Sequence, residues 1–193
     1  MTAPVELVPL ECLRCRSRLP AEEAQVAWLC TACGQGQRLD EGAELRPVEI
    51  HFARSAGNGE ARWLPFWVLP VRVRILERLS YGRDQPPDPR WDEPQQFVLP
   101  AFDTRPEDAG QWGAKFLREP VKLGDGPVGS LPSVTVTPEE AQALAEFVVL
   151  TIEAERRDKI KSLNAVLDFG DAELWCLPFA TSGAGLRPVL APS

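Results

Sequence analysis

Residues 12–34 read CLRCRSRLPAEEAQVAWLCTACG and hold four of the chain's five cysteines, at Cys12, Cys15, Cys30 and Cys33. Their spacing is Cys-x2-Cys-x14-Cys-x2-Cys. Two residues between paired cysteines let a tight turn aim both thiolates at one point. Two such turns at facing hairpin ends close a tetrahedron of four sulfurs, the coordination that Zn²⁺ accepts. Gly34 directly follows the second pair and can take a positive φ, which lets backbone N–H groups approach the sulfurs. Arg16 stands at the matching place after the first pair. The expected cofactor is one structural Zn²⁺ on Cys12, Cys15, Cys30 and Cys33. Four thiolates fill its shell and leave no position for water, which argues against a catalytic zinc.

This segment resembles the zinc-ribbon family over residues 8–40, with Arg16 departing from the usual knuckle. The resemblance implies a metal-stabilised fold and carries no activity with it. The same four ligands would also suit a rubredoxin-type iron. A redox dithiol would instead need one Cys-x-x-Cys opening a helix after a strand. The large apolar residues of the segment are Leu10, Leu13, Leu19, Val26, Trp28, Leu29 and Leu39. That is too little core for the segment alone, so the metal is expected to supply folding energy on the order of 10 kcal/mol.

The whole chain has 193 residues, 21 Lys+Arg, 28 Asp+Glu, one His and a formal net charge of −7. A zinc held by four thiolates would bring that to about −9. Such acidity argues against general nucleic-acid binding, which leaves a basic footprint. The acid is uneven: residues 101–150 hold eight acids against four bases, and 51–100 hold six against seven. One narrow exception is the stripe Arg14, Arg16 and Arg18 beside the cysteines. No stretch is long and apolar enough to span a bilayer, and the opening residues lack a basic-then-apolar leader pattern. A reducing, cytoplasmic setting is expected, where Cys-x-x-Cys pairs read as metal ligands. Arg outnumbers Lys 17 to 4, a usage typical of GC-rich bacterial genomes.

Working outward, the fold class is α+β: an N-terminal zinc ribbon (1–40), a polar linker (41–47) and a β-rich domain with two helices (48–193). Val48–Ala53 alternates like a half-buried strand. A turn across Gly57–Gly59 suggests a hairpin with a strand starting near Ala61, and Arg72 and Arg74 lie on that strand's outward phase. Four prolines within 82–96 exclude helix and central strand, and Trp91 in that loop reads as an exposed anchor for a partner. Residues 96–102 read as a short strand. Thr104 with Glu107 suggests a capping box opening a helix of three turns, with Ala109, Trp112 and Phe116 on one face. A loop follows at 124–130. Thr137-Pro138-Glu139-Glu140 opens the longest helix, expected over 138–161, with Leu144, Phe147, Val148, Thr151 and Ile152 inward. Its charged end suggests solvent-facing pairs Glu153–Arg157 and Glu155–Lys159. Two strands separated by Gly170-Asp171 come last. Leu64-Pro65-Phe66-Trp67 behind an N-terminal ribbon resembles uncharacterised bacterial zinc-ribbon proteins, again without an implied activity.

Outside the ribbon little points to catalysis. His51 reads as a hydrogen-bonded strand residue, and Cys176 as a small buried hydrophobe. No Gly-rich loop carries the Gly-Lys-Ser/Thr ending of a phosphate cradle. The expected function is a non-enzymatic zinc-binding module that assembles with a protein partner. A nucleic-acid-associated zinc-ribbon factor in transcription or replication is the alternative.

Overall fold

The computed structural model describes residues 9–20, 22, 24–40, 42, 44–56, 61–82, 85–182 and 185–191. The chain is α+β, with the cysteine segment first and a β-rich region after it. Strands β1 (Ala27–Leu29), β2 (Gly36–Leu39) and β3 (Leu45–Pro47) form a small antiparallel sheet in that order. The stretch expected as a linker therefore contributes a strand. Leu45 and Arg46 pair with Leu39 and Arg38.

The larger sheet comprises β4 (Ile50–Phe52), β5 (Arg62–Ser80), β6 (Gln95–Pro100), β7 (Ile160–Phe169), β8 (Glu173–Ser182) and β9 (Gly185–Pro188). The 19-residue β5 is its spine. Along one side β5 pairs first with β8 and then with β7, which run end to end past it. Along the other side it pairs with β6, from Phe66↔Pro100 to Val71↔Gln95. The expected hairpin between β4 and β5 does not form. β4 lies parallel to β8, with His51 opposite Trp175. The β4 partner is thus distant in sequence, chosen by stacking and burial rather than by the nearest turn. The turn itself, Gly57–Gly59, lies outside the described residues.

Two helices complete the body, α1 (Pro106–Arg118) and α2 (Pro138–Ala154). Alternate residues of β5 and β6 feed two apolar clusters on opposite faces. Trp67, Leu69, Val71, Phe97 and Leu99 join Ala145, Val148 and Ile152 of α2. Phe66, Val68 and Val98 join Phe116 of α1 together with Leu177 and Phe179. Burial on both faces explains why 64–69 reads as a continuous apolar run. Gly110 and Gly113 sit one turn apart on α1, facing α2. A Cβ on Gly113 would stand 2.4 Å from a Val148 methyl, so the helices approach at a distance that only glycine permits. No helix among the described residues is long and apolar enough to cross a membrane.

Several local expectations are corrected. The N-cap of α1 is Arg105, without a side-chain cap, rather than Thr104. Its face is as expected, with Ala109 and Phe116 buried. The capping box at Thr137 and Glu140 is present in full. However, α2 stops at Ala154 instead of running to 161, and its buried stripe is Ala141, Ala145, Val148, Val149, Ile152 and Glu153. Leu144, Phe147 and Thr151 are only half buried. The early stop has a physical reason. Asp158 turns back toward Arg78 on β5, and Lys159 takes a φ of 51° to start β7.

That turn closes a buried ion network. Glu153 is fully buried. Its carboxylate accepts from Arg78 Nε at 2.6 Å, the Asp88 backbone N–H at 2.7 Å and Trp91 Nε1 at 2.8 Å. Arg78 also grips Asp158 with both terminal nitrogens. Trp91, expected as an exposed anchor, is therefore inside, 6% exposed. It sits on a short 3-10 turn, Pro89–Asp92, that folds back over the sheet and meets Phe97 edge-on. The expected Glu153–Arg157 and Glu155–Lys159 pairs are replaced by Glu153–Arg78 and Glu155–Arg118.

Candidate metal centre

The two cysteine pairs sit on two turns built alike. In the first, Arg16 N–H donates to Cys12 carbonyl at 2.9 Å, and Cys12 N–H donates to Ser17 carbonyl at 2.8 Å. In the second, Gly34 N–H donates to Cys30 carbonyl at 2.8 Å, and Cys30 N–H donates to Gln35 carbonyl at 2.9 Å. Arg16 and Gly34 both adopt a left-handed backbone, with φ of 62° and 73°. The arginine is thus a departure in residue type and not in geometry. A left-handed non-glycine residue costs about 1–2 kcal/mol, so Arg16→Gly should stabilise the metal-loaded chain by roughly 1 kcal/mol. A thermal melt of the loaded protein measures it as a rise of a few degrees.

The turns bring all four sulfurs within 4.8 Å of one another. Cys12 and Cys33 Sγ are 3.5 Å apart, and Cys15 and Cys30 Sγ are 3.6 Å apart. Four sulfurs at a zinc–sulfur distance of about 2.3 Å would stand roughly 3.8 Å apart at the edges of a tetrahedron. The donor set and its spacing therefore fit a tetrahedral ion. Every sequence-predicted ligand is brought to the site. Cys12 and Cys30 are buried, Cys33 is half buried and Cys15 is exposed.

The electrostatics call for a cation. Contacts from the hydroxyl and backbone of Ser17 lower the Cys15 thiol to about 6. Backbone N–H contacts at Cys15 and Arg14 lower Cys12. At Cys33 the Gln35 backbone favours the thiolate, but burial and the neighbouring sulfurs outweigh it and push the thiol up to about 12. The cluster thus resists carrying four negative charges, and a divalent ion supplies the missing compensation. Metal binding must then release protons and weaken as pH falls.

Around the sulfurs, Leu10, Leu19, Trp28, Leu39 and Leu45 form a small apolar cluster. Gln37 is fully buried and accepts the Leu13 N–H at 2.9 Å, tying β2 to the first turn. The segment also docks on the body. Ala27 belongs to the main core, Val26 N–H donates to Val134 carbonyl at 2.8 Å, and Arg38 pairs with Glu139 at 2.9 Å. Arg14, Arg16 and Arg18 are exposed beside the first turn.

The other sequence candidates lie elsewhere. His51 stacks on Trp175 at 4.5 Å between ring centroids and bonds Asp125 through Nδ1 at 2.9 Å. That bond and the Gly126 N–H to Phe52 carbonyl contact fasten the 124–130 loop to β4. Cys176 is fully buried, and desolvation pushes its thiol up to about 12, which fits the small-hydrophobe reading. The sequence reading missed the Arg78–Glu153–Asp158 network. The signal was present as Arg78 breaking the strand's alternation, but its partners are 75 and 80 residues away.

No protein-family model matches the chain, and neither the curated proteins nor the solved structures yield a match. The likeness to zinc ribbons rests on the four cysteines and the geometry of their turns.

Proposed function

We propose that this protein is a non-enzymatic interaction module in which a structural Zn²⁺, held by Cys12, Cys15, Cys30 and Cys33, fixes the N-terminal ribbon, and whose β-rich body binds a protein partner. The reading of zinc over iron follows from the commoner use of this ligand spacing. The observation that carries the partner reading is a run of exposed apolar side chains at the end of β5 and just past it. Leu76 and Leu79 on β5 and Tyr81, one residue past it, are 60%, 42% and 75% exposed. Apolar side chains grouped in this way on a surface mark contact sites. The surface replaces Trp91, which the fold buries.

The test is co-purification from the native cell with crosslinking. Wild-type protein should retain a partner that Leu76→Asp/Tyr81→Asp loses while its melting temperature stays unchanged. Equal capture by both proteins would remove this surface from the proposal.

A second reading, a nucleic-acid-associated ribbon, is favoured by one observation only: Arg14, Arg16 and Arg18 are all exposed beside the metal turn. Phosphate contacts by three arginines would give a salt slope of about −3 in log–log form on duplex DNA. Micromolar binding that the triple alanine variant abolishes would establish it over the adaptor reading.

A further inference from the structure

Strand β7 is ten residues long, and among the described residues it pairs with β5 alone. Its outer edge is a row of backbone donors and acceptors without a partner strand. Native sheets blunt such edges with prolines, central charges, bulges or covering segments. The middle of β7, Leu163-Asn164-Ala165-Val166-Leu167, carries no proline and no charge. Its register with β5 over 165–169 is unbroken; of the two nearby shifts, one has its extra residue, Leu76, on β5, and the other has Lys161 of β7, at the start of the strand and outside this middle stretch. Beside this edge opens a cleft between β7 and α2, lined by Leu163, Ala165 and Leu167 on the strand and by Phe147 and Leu150 on the helix. Leu150 is 44% exposed there.

The ends of this edge are charged in opposite sense. Arg157, Lys159 and Lys161 are exposed where β7 begins; where it ends, Asp171 is exposed, as is Asp168, which also pairs with Arg74 of the same chain at 3.3 Å. Antiparallel pairing of two identical strands across a twofold axis brings each basic end against the other copy's acidic end. It also preserves which face is apolar, so both α2 helices and both clefts meet on one side of a continuous sheet. A partner with a uniform charge would meet repulsion at one end, whereas a second copy satisfies both.

We infer that this chain forms a homodimer through antiparallel β7–β7 pairing, with the axis near Ala165. The inference does not rest on the proposed partner surface.

Two charge-reversed forms of the full chain test it. One carries Arg157→Glu and Lys161→Glu; the other carries Asp168→Lys and Asp171→Lys. All four side chains are at the surface, and circular dichroism confirms that each form is folded. In sedimentation velocity the wild type should be a dimer, with a dissociation constant that rises at least tenfold in molar salt. Each reversed form alone should be a monomer, because like charges then meet at both ends. An equimolar mixture of the two should return to a dimer, since each now complements the other. A wild type that is monomeric up to about 100 µM, a scale at which a stable dimer is well populated, overturns the inference. So does a dimer that both reversed forms keep, or a mixture that stays monomeric.

Discussion

Stripping the metal with a chelator is expected to unfold the ribbon, residues 9–39, while the larger sheet and its helices stay folded. The ribbon owns a small core around Leu19 and Trp28. The ion's share, on the order of 10–16 kcal/mol at neutral pH, exceeds what that core supplies. The body does not depend on the ion in the same way, because Trp67, Phe97, Leu99 and Val148 make a core of their own. Hydrogen exchange measures the outcome region by region. Amides of Cys12, Arg16, Cys30 and Gly34 should lose protection together. The loss should include the Val26 amide, which donates to the Val134 carbonyl, and reach the start of α2, where Arg38 pairs with Glu139. Amides of β5 and β6 should keep their protection. Cys30→Ser should reproduce the chelated pattern even in excess zinc.

Arg78→Ala should destabilise the body by about 3–5 kcal/mol, the usual cost of removing one partner from a buried charge pair. The side chains of Arg78, Glu153 and Asp158 are 3%, 0% and 2% exposed. Removing the guanidinium leaves the two carboxylates with Arg156, 3.6 Å from Glu153, as their remaining counter-ion and opens a cavity beside them. Urea unfolding of the metal-loaded protein measures the loss as a lowered midpoint at an unchanged slope. An acid arm distinguishes charge from packing. Hydrogen bonding from Arg78 lowers Asp158 from its ordinary value near 4 to about 2. A carboxylate depressed in the folded state stabilises fully above its unfolded value and loses that contribution as pH falls through the folded one. The wild type should therefore shed this part of its stability between about pH 4 and pH 2, and Arg78→Ala should not. Arg78→Met, which restores volume without charge, should still fail by more than 1 kcal/mol if the charge matters.

The parts legible in the sequence were those whose chemistry is local. Cys12, Cys15, Cys30 and Cys33 declare themselves by spacing, and Thr137 with Glu140 by a box three residues wide. The Ala109–Phe116 face follows from helical period. What escaped depends on distant partners. Nothing near Ile50 says that its strand will lie parallel to Leu174–Cys176 instead of turning back on Arg62. Nothing near Glu153 says that Arg78 waits across the fold, and so the sequence alone reads the end of α2 as a solvated helix. Trp91 is the same case: a tryptophan among prolines looks exposed until Glu153 gives its indole N–H a buried acceptor. Arg16 shows the converse. Its residue type disguised a left-handed turn that the surrounding cysteine pattern already demanded.

The central claim is that the four cysteines hold one structural zinc. Elemental analysis of the protein purified from its native cell, without added metal, tests it most directly. The account predicts one zinc per chain, four thiols shielded from an alkylating reagent until chelator is added, and no metal in Cys30→Ser. Iron in place of zinc, or no metal with all four thiols freely alkylated, would contradict it.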